Sequence, residues 1–273
     1  MSFGVAIVLL GAVQGLVVAL PGAGWPAWLW RPTGFAWALV APLSIVVVIF
    51  AIEVLPGVAD GLTWLALIAV PPLAAAALGW AMRRPQPVFA LAAVPLFALA
   101  WAFEGSLGGD AAALALTALS CVTLGRLVTG LAPAILIKLG LIVTAMVDTT
   151  LIVTEKLQGP NDVLNAAAPA PHLHLPKLQL VQLGPAQMGY GDLFVAGLLG
   201  GVLALERRSP ALGAFATFAF AAIMDLLFLV TDTLPATVPV ALALILVELV
   251  ARRTKAKDLH AVRGVAESRV PGD

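Results

Sequence analysis

The chain has 273 residues, of which 61% are hydrophobic and only 11% charged, and its 15 Lys+Arg balance 15 Asp+Glu. Soluble domains carry about 25% charged residues, so this composition, with a mean hydropathy of +1.03, excludes a soluble enzyme on a single anchor and specifies an integral membrane protein. No basic run outside the C-terminal tail offers a nucleic-acid footprint, and the single Cys121 excludes a disulfide framework or a cysteine-based metal site.

Residues 1–20 are apolar but lack a basic n-region and a good small-residue cleavage site, which predicts a retained helix and not a signal peptide. A bilayer core about 30 Å thick needs roughly 20 apolar residues per helix. Charged, Pro and Gly punctuation cuts the sequence near that length into nine segments: 2–20, 34–54, 61–82, 86–103, 110–129, 132–154, 190–206, 210–230 and 235–251. The expected fold is an all-α polytopic membrane protein of about nine transmembrane helices. Residues 1–154 carry the first six, 155–188 a long loop, 189–251 the last three, and 252–273 a basic, partly disordered tail.

Loop charges orient this stack, because Lys and Arg near helix ends stay on the cytoplasmic side. The odd-numbered loops and the tail hold thirteen basic residues, among them Arg83, Arg84, Lys138, Arg207 and Arg208, whereas the even-numbered loops hold only Lys156 and Lys177. The N-terminus is therefore expected outside and the tail in the cytoplasm, held near anionic lipid.

The long interruption at 155–188 contains Gly159-Pro160-Asn161-Asp162 and four further prolines. Within it, His172 to Leu183 alternates apolar and polar residues around Pro176, a strand period confined by proline to an edge or a strand start. A short β element is expected here, and loops of this length are often functional. His172 and His174 share one side of such a strand but lack acidic or cysteine companions at metal spacing, so they are read as loop residues.

Acids at bilayer depth are costly and usually line an interior cavity. Glu53, Asp60, Glu104 and Glu248 fall at segment ends and read as solvated or snorkelling. Asp148 lies some seven residues inside the sixth segment, roughly 10 Å from its end at 1.5 Å per residue, and Asp192 begins the seventh on the same side. Both carboxyls are thus expected in one aqueous notch. Asp225, deep in the eighth segment, is read as structural or supporting, with no catalytic role.

The sequence around these acids resembles a known family. Gly189-Tyr190-Gly191-Asp192, followed by Leu-Phe-Val-Ala-Gly-Leu-Leu-Gly-Gly, is similar to the Gly-x-Gly-Asp motif and seventh helix of the presenilin and signal peptide peptidase family of intramembrane aspartyl proteases. Met146-Val147-Asp148-Thr149 stands where that family has Tyr-Asp, and Leu234-Pro235-Ala236-Thr237 resembles its Pro-Ala-Leu motif. The likeness spans about 132–251; residues 1–131 agree only as five apolar segments. Val147 replaces a tyrosine and Thr237 a leucine, so an apolar contact is expected to shrink at the third motif. Prepilin peptidases also use Gly-x-Gly-Asp, usually followed by a basic position, where Leu193-Phe194 stands here.

The resemblance implies an endopeptidase that hydrolyses peptide bonds within transmembrane peptide substrates, with Asp148 and Asp192 catalytic and with Gly189, Tyr190, Gly191, Pro235, Ala236 and Thr237 binding substrate. Two close carboxyls resist joint ionisation and share one proton, so one serves as general base on water while the other polarises the scissile carbonyl. No cofactor and no metal is required. Gly189 and Gly191 are expected to supply unusual φ values or close backbone approach, and Pro235 to begin the last helix. A substrate helix must unwind to be cut, and Leu173 to Leu183, with Leu178 and Leu180, is expected to offer it a strand edge. Signal peptide peptidases place the N-terminus outside and take signal peptides or type II anchors; the loop charges select that arrangement. The competing class is a proton-coupled transporter or channel using the acids as relays.

Overall fold

The computed structural model describes residues 1–22, 43, 47, 50–52, 54–55, 57–154, 156, 158–168, 173–229, 231 and 233–267. The described chain is mainly helical with one two-stranded sheet: α1 Phe3–Ala19, α2 Val58–Ala76, α3 Ala93–Ala102, α4 Leu107–Leu131, α5 Ala134–Val153, α6 Gln158–Ala166, β1 Leu180–Leu183, β2 Ala186–Gly189, α7 Tyr190–Leu205, α8 Pro210–Asp225 and α9 Val238–Glu267. Four helical spans, Val58–Ala81, Leu107–Leu131, Ala134–Val153 and Pro210–Phe228, are long and apolar enough to cross a membrane, and Phe3–Ala19, Pro87–Ala102 and Tyr190–Leu205 are shorter apolar helices. This is the pattern of a helical membrane protein. The second predicted segment, 34–54, lies largely outside the described residues.

Local chemistry sets the helix ends. The Ser106 and Ser209 hydroxyls accept from the Gly109 and Leu212 N–H groups, each at 3.2 Å, and Pro210 opens α8 where its missing N–H costs nothing. In α2, Pro71 and Pro72 remove two ladder donors, and the span ends in a π turn at Ala77–Ala81. The Thr123 hydroxyl of α4 donates to the Leu73 carbonyl at 2.8 Å and ties α4 to α2 just past the two prolines. The fourth predicted segment starts as a 3₁₀ turn, Pro87–Ala92, before α3.

α4 is the most enclosed spanning helix and packs most extensively on α7. Their crossing depends on small residues: a Cβ at Gly197 would strike the Cys121 carbonyl, and one at Gly125 would strike the backbone of Gly197. Without a hydrophobic drive between helices in lipid, such close backbone approach supplies the packing energy. α1 packs on α8 and α7, and α9 on α8 and α5. The head of α7 is therefore held from α4 and α1 at once.

Three expectations are corrected. The strand covers only Leu180–Leu183 of the predicted Leu173–Leu183, because Pro176 lies upstream and the residues around it carry no ladder. It pairs in antiparallel register with β2, from Leu183↔Ala186 to Leu180↔Gly189, across Gly184-Pro185. Gly184 has φ +57, and proline cannot follow with a positive φ, so the two-residue turn is of type II′, which needs glycine first. Within the long loop, Gln158–Ala166 is helical. At the far end α9 runs to Glu267, so most of the tail, expected to be partly disordered, is helix. Its start is Val238, not Pro235, which stays in the irregular segment before it.

Candidate active site

Asp148 reaches the bundle interior on the buried stripe of α5, Ile137, Gly140, Leu141, Thr144, Ala145 and Asp148, whose spacing of three and four residues makes one helical face. Met146, on the opposite face, is exposed. Asp192 is the third residue of α7, and its Oδ2 accepts from the Gly189 N–H at 3.1 Å. This is half of a capping box; glycine has no side chain to return the other half. The positive end of the α7 backbone dipole faces the same carboxylate.

The segment before α9 joins them. The Thr237 hydroxyl donates to Asp148 Oδ2 at 2.6 Å, and Thr237 is only 1% exposed. One residue earlier, the Ala236 carbonyl accepts from Gln14 Nε2 of α1 at 2.7 Å, and the same nitrogen reaches the Asp192 carbonyl at 3.5 Å. Two acids from antiparallel helices and the turn ahead of α9 thus meet at one end of the bundle. At the opposite ends of the same helices, Lys138 Nζ pairs with Glu206 at 2.5 Å and Glu248 at 2.6 Å, and Arg208 closes the network on both acids. Lys138 precedes Asp148 by ten residues of α5, about 15 Å along the helix.

The remaining predicted residues divide by what they touch. Gly189 is extended, φ −68, so its requirement is space and not a positive φ: an added Cβ would sit 3.1 Å from Asp192 Oδ2. Around Gly191 such a Cβ meets nothing within 4 Å, which leaves the approach to Asp192 open. Tyr190 turns inward, its hydroxyl 2.8 Å from Ser120 Oγ of α4 and its carbonyl 3.9 Å from Cys121 Sγ, so it anchors the motif. Pro235 is buried and Ala236 half-buried. Leu178 and Leu180 are both buried, so their side chains belong to the core and only backbone remains for a substrate.

Asp225 ends α8 with Oδ2 directed towards Gly11 of α1 and without a hydrogen-bond partner among the described residues. Glu248, read as a snorkelling acid, is a member of the inner ionic network. His174 is an exposed residue 3.3 Å from Glu104, and His172 lies outside the described residues. Gln14 was not singled out from sequence, although it is the lone amide in an otherwise apolar helix. No family model, curated protein or solved structure matches the chain.

Proposed function

We propose that this protein is an intramembrane aspartyl protease in which Asp148 and Asp192 share one proton and activate a water. The observation that supports the reading is the meeting of Asp148, the Gly189–Asp192 corner and the Pro235–Thr237 turn, remote in sequence, at one end of the bundle, tied together through Thr237 and Gln14. The ionised member takes a proton from water as that water attacks the scissile carbonyl. The protonated member polarises the carbonyl, then delivers its proton to the departing nitrogen. Each turnover consumes one water and returns the dyad with a single proton.

The substrate in this reading is a transmembrane helix whose unwound part adds to the outer edge of β2. The closing pair of a two-residue hairpin exchanges both hydrogen bonds and pairs alternate from there, so Gln187 turns its N–H and C=O outward. Gln187 is exposed, whereas β1 packs against α4. An edge strand bonded there runs past Asp192, three residues beyond the end of β2. Nine membrane crossings, an external N-terminus and a cytoplasmic C-terminus complete the proposal, with signal peptides or type II anchors as substrates.

The test is incubation of the purified protein in detergent with a transmembrane peptide based on such an anchor, with products read by mass spectrometry. Cleavage within the apolar segment, blocked by a mimic bearing a hydroxyl at the scissile position and insensitive to chelators, is expected. Intact peptides across a library of such segments would oppose the reading.

A further inference from the structure

The amide of Gln14 is buried in the middle of α1, 1% exposed, where neither helix propensity nor packing calls for a polar side chain. Burying an amide costs free energy unless its groups are bonded. Its Nε2 makes both contacts, to main-chain carbonyls: Ala236 at 2.7 Å, in the turn before α9, and, more loosely, Asp192 at 3.5 Å, in the first turn of α7, while its Oε1 has no partner among the described residues. Lysine or arginine there would bring an uncompensated charge, and leucine would offer no donor. Ala236 is followed by Thr237, whose hydroxyl holds Asp148, so a single amide stands between the two acids, reaching the main chain of Asp192 itself on one side and Asp148 by way of Thr237 on the other.

We propose that Gln14 is a positioning residue of the candidate dyad: a strut on α1 that fastens the turn before α9 to the first turn of α7. Through Thr237 it sets the Asp148 carboxyl relative to Asp192. Ala236 lies in a turn outside any helix or strand, directly after Pro235 and two residues before Val238, the first residue of α9. Such a segment has no ladder of its own to fix it, and a buried donor from another helix supplies the missing restraint. The carbonyl of Asp192 already sits in the first turn of α7, so the strut has one fixed end and one end that it fixes. This inference rests on the protease reading for its catalytic consequence, and on the hydrogen bonds alone for its structural one.

Gln14→Met keeps length and volume and removes the donors. Two readouts separate the claims. In the first, turnover of a transmembrane peptide is expected to fall tenfold or more in kcat per folded molecule with KM within about twofold, because geometry at the acids is lost and not the binding edge. In the second, nitroxide labels at the exposed Gln182 and Thr233 report the distance between the hairpin and the turn by pulsed electron resonance; Cys121 is buried and stays unlabelled. A narrow distribution in the otherwise native protein and a broadened one in Gln14→Met are expected.

Native turnover in Gln14→Met, or an unchanged distance distribution, would overturn the proposal. If Gln14→Met does not fold, Gln14→Asn, which withdraws the amide by one methylene, takes its place under the same two criteria. If the native protein cleaves no peptide, the protease reading fails, and the distance measurement by itself decides whether Gln14 is a strut.

Discussion

Thr237 donates its hydroxyl to the carboxylate of Asp148 at 2.6 Å, tying the residue before α9 to one deep in α5 across 89 positions of sequence. A leucine at this position would fill space without offering a donor. The hydroxyl limits rotation of the Asp148 carboxyl, which the proposed dyad requires to face Asp192, and Thr237 itself is buried.

Thr237→Val keeps the branched shape and deletes the donor. Hydrogen bonds to charged groups contribute about 1.5–3 kcal/mol, so kcat is expected to fall roughly ten- to a hundredfold, with Thr237→Ser retaining most activity. Steady-state kinetics on a transmembrane peptide check this; equal kcat for Val and Thr at this position would contradict it.

Gln187→Pro removes an outward N–H from the β2 edge, where proline is tolerated by the fold, whereas Gln187→Ala only trims a side chain. The proline variant is expected to raise KM several-fold over the alanine variant. Matching kinetics for the two would mean that substrate does not pair with this strand.

The network of Lys138, Glu206, Arg208 and Glu248 ties α5, α7 and α9 at the end remote from the acids. The groups are 13–25% exposed, between the regimes of surface and buried pairs. Lys138→Met leaves two carboxylates facing one arginine and is expected to cost on the order of 2 kcal/mol. A lowered unfolding midpoint in detergent, with kcat per folded molecule preserved, is the expected result. An unchanged midpoint would show that the network contributes no stability.

Orientation is open to a direct measurement. Reporters fused after Asp273 and inserted within 159–170 are expected to read cytoplasmic and external respectively, and type II segments to be cut in preference to type I. An external C-terminal reporter would invert the proposed topology.

The sequence made the helical segments legible because hydropathy and punctuation act locally, and it made Asp148 and Asp192 legible because charge is conspicuous in an apolar run. Gln14 was harder to find. Its best partner, the Ala236 carbonyl, is 222 positions away and, being backbone, leaves no signature in residue identity. Thr237 read as a lost apolar contact because its hydroxyl has meaning only once Asp148 stands opposite. Ala186–Gly189 escaped notice since Gly184-Pro185 looks like loop punctuation and four residues carry too little periodicity to mark a strand. The end of α9 was misplaced because hydropathy reports where a chain leaves lipid, whereas Arg252 to Glu267 contains good helix formers that continue the helix.

The most direct test of the central claim is cleavage of one transmembrane peptide by the native protein and by Asp148→Asn and Asp192→Asn, each purified in detergent and shown to unfold at the native midpoint. Asparagine preserves size and hydrogen bonding but cannot share the proton, so both variants are expected to lose detectable product while the native protein cuts. Native-like turnover with unchanged product masses in either variant would contradict the dyad.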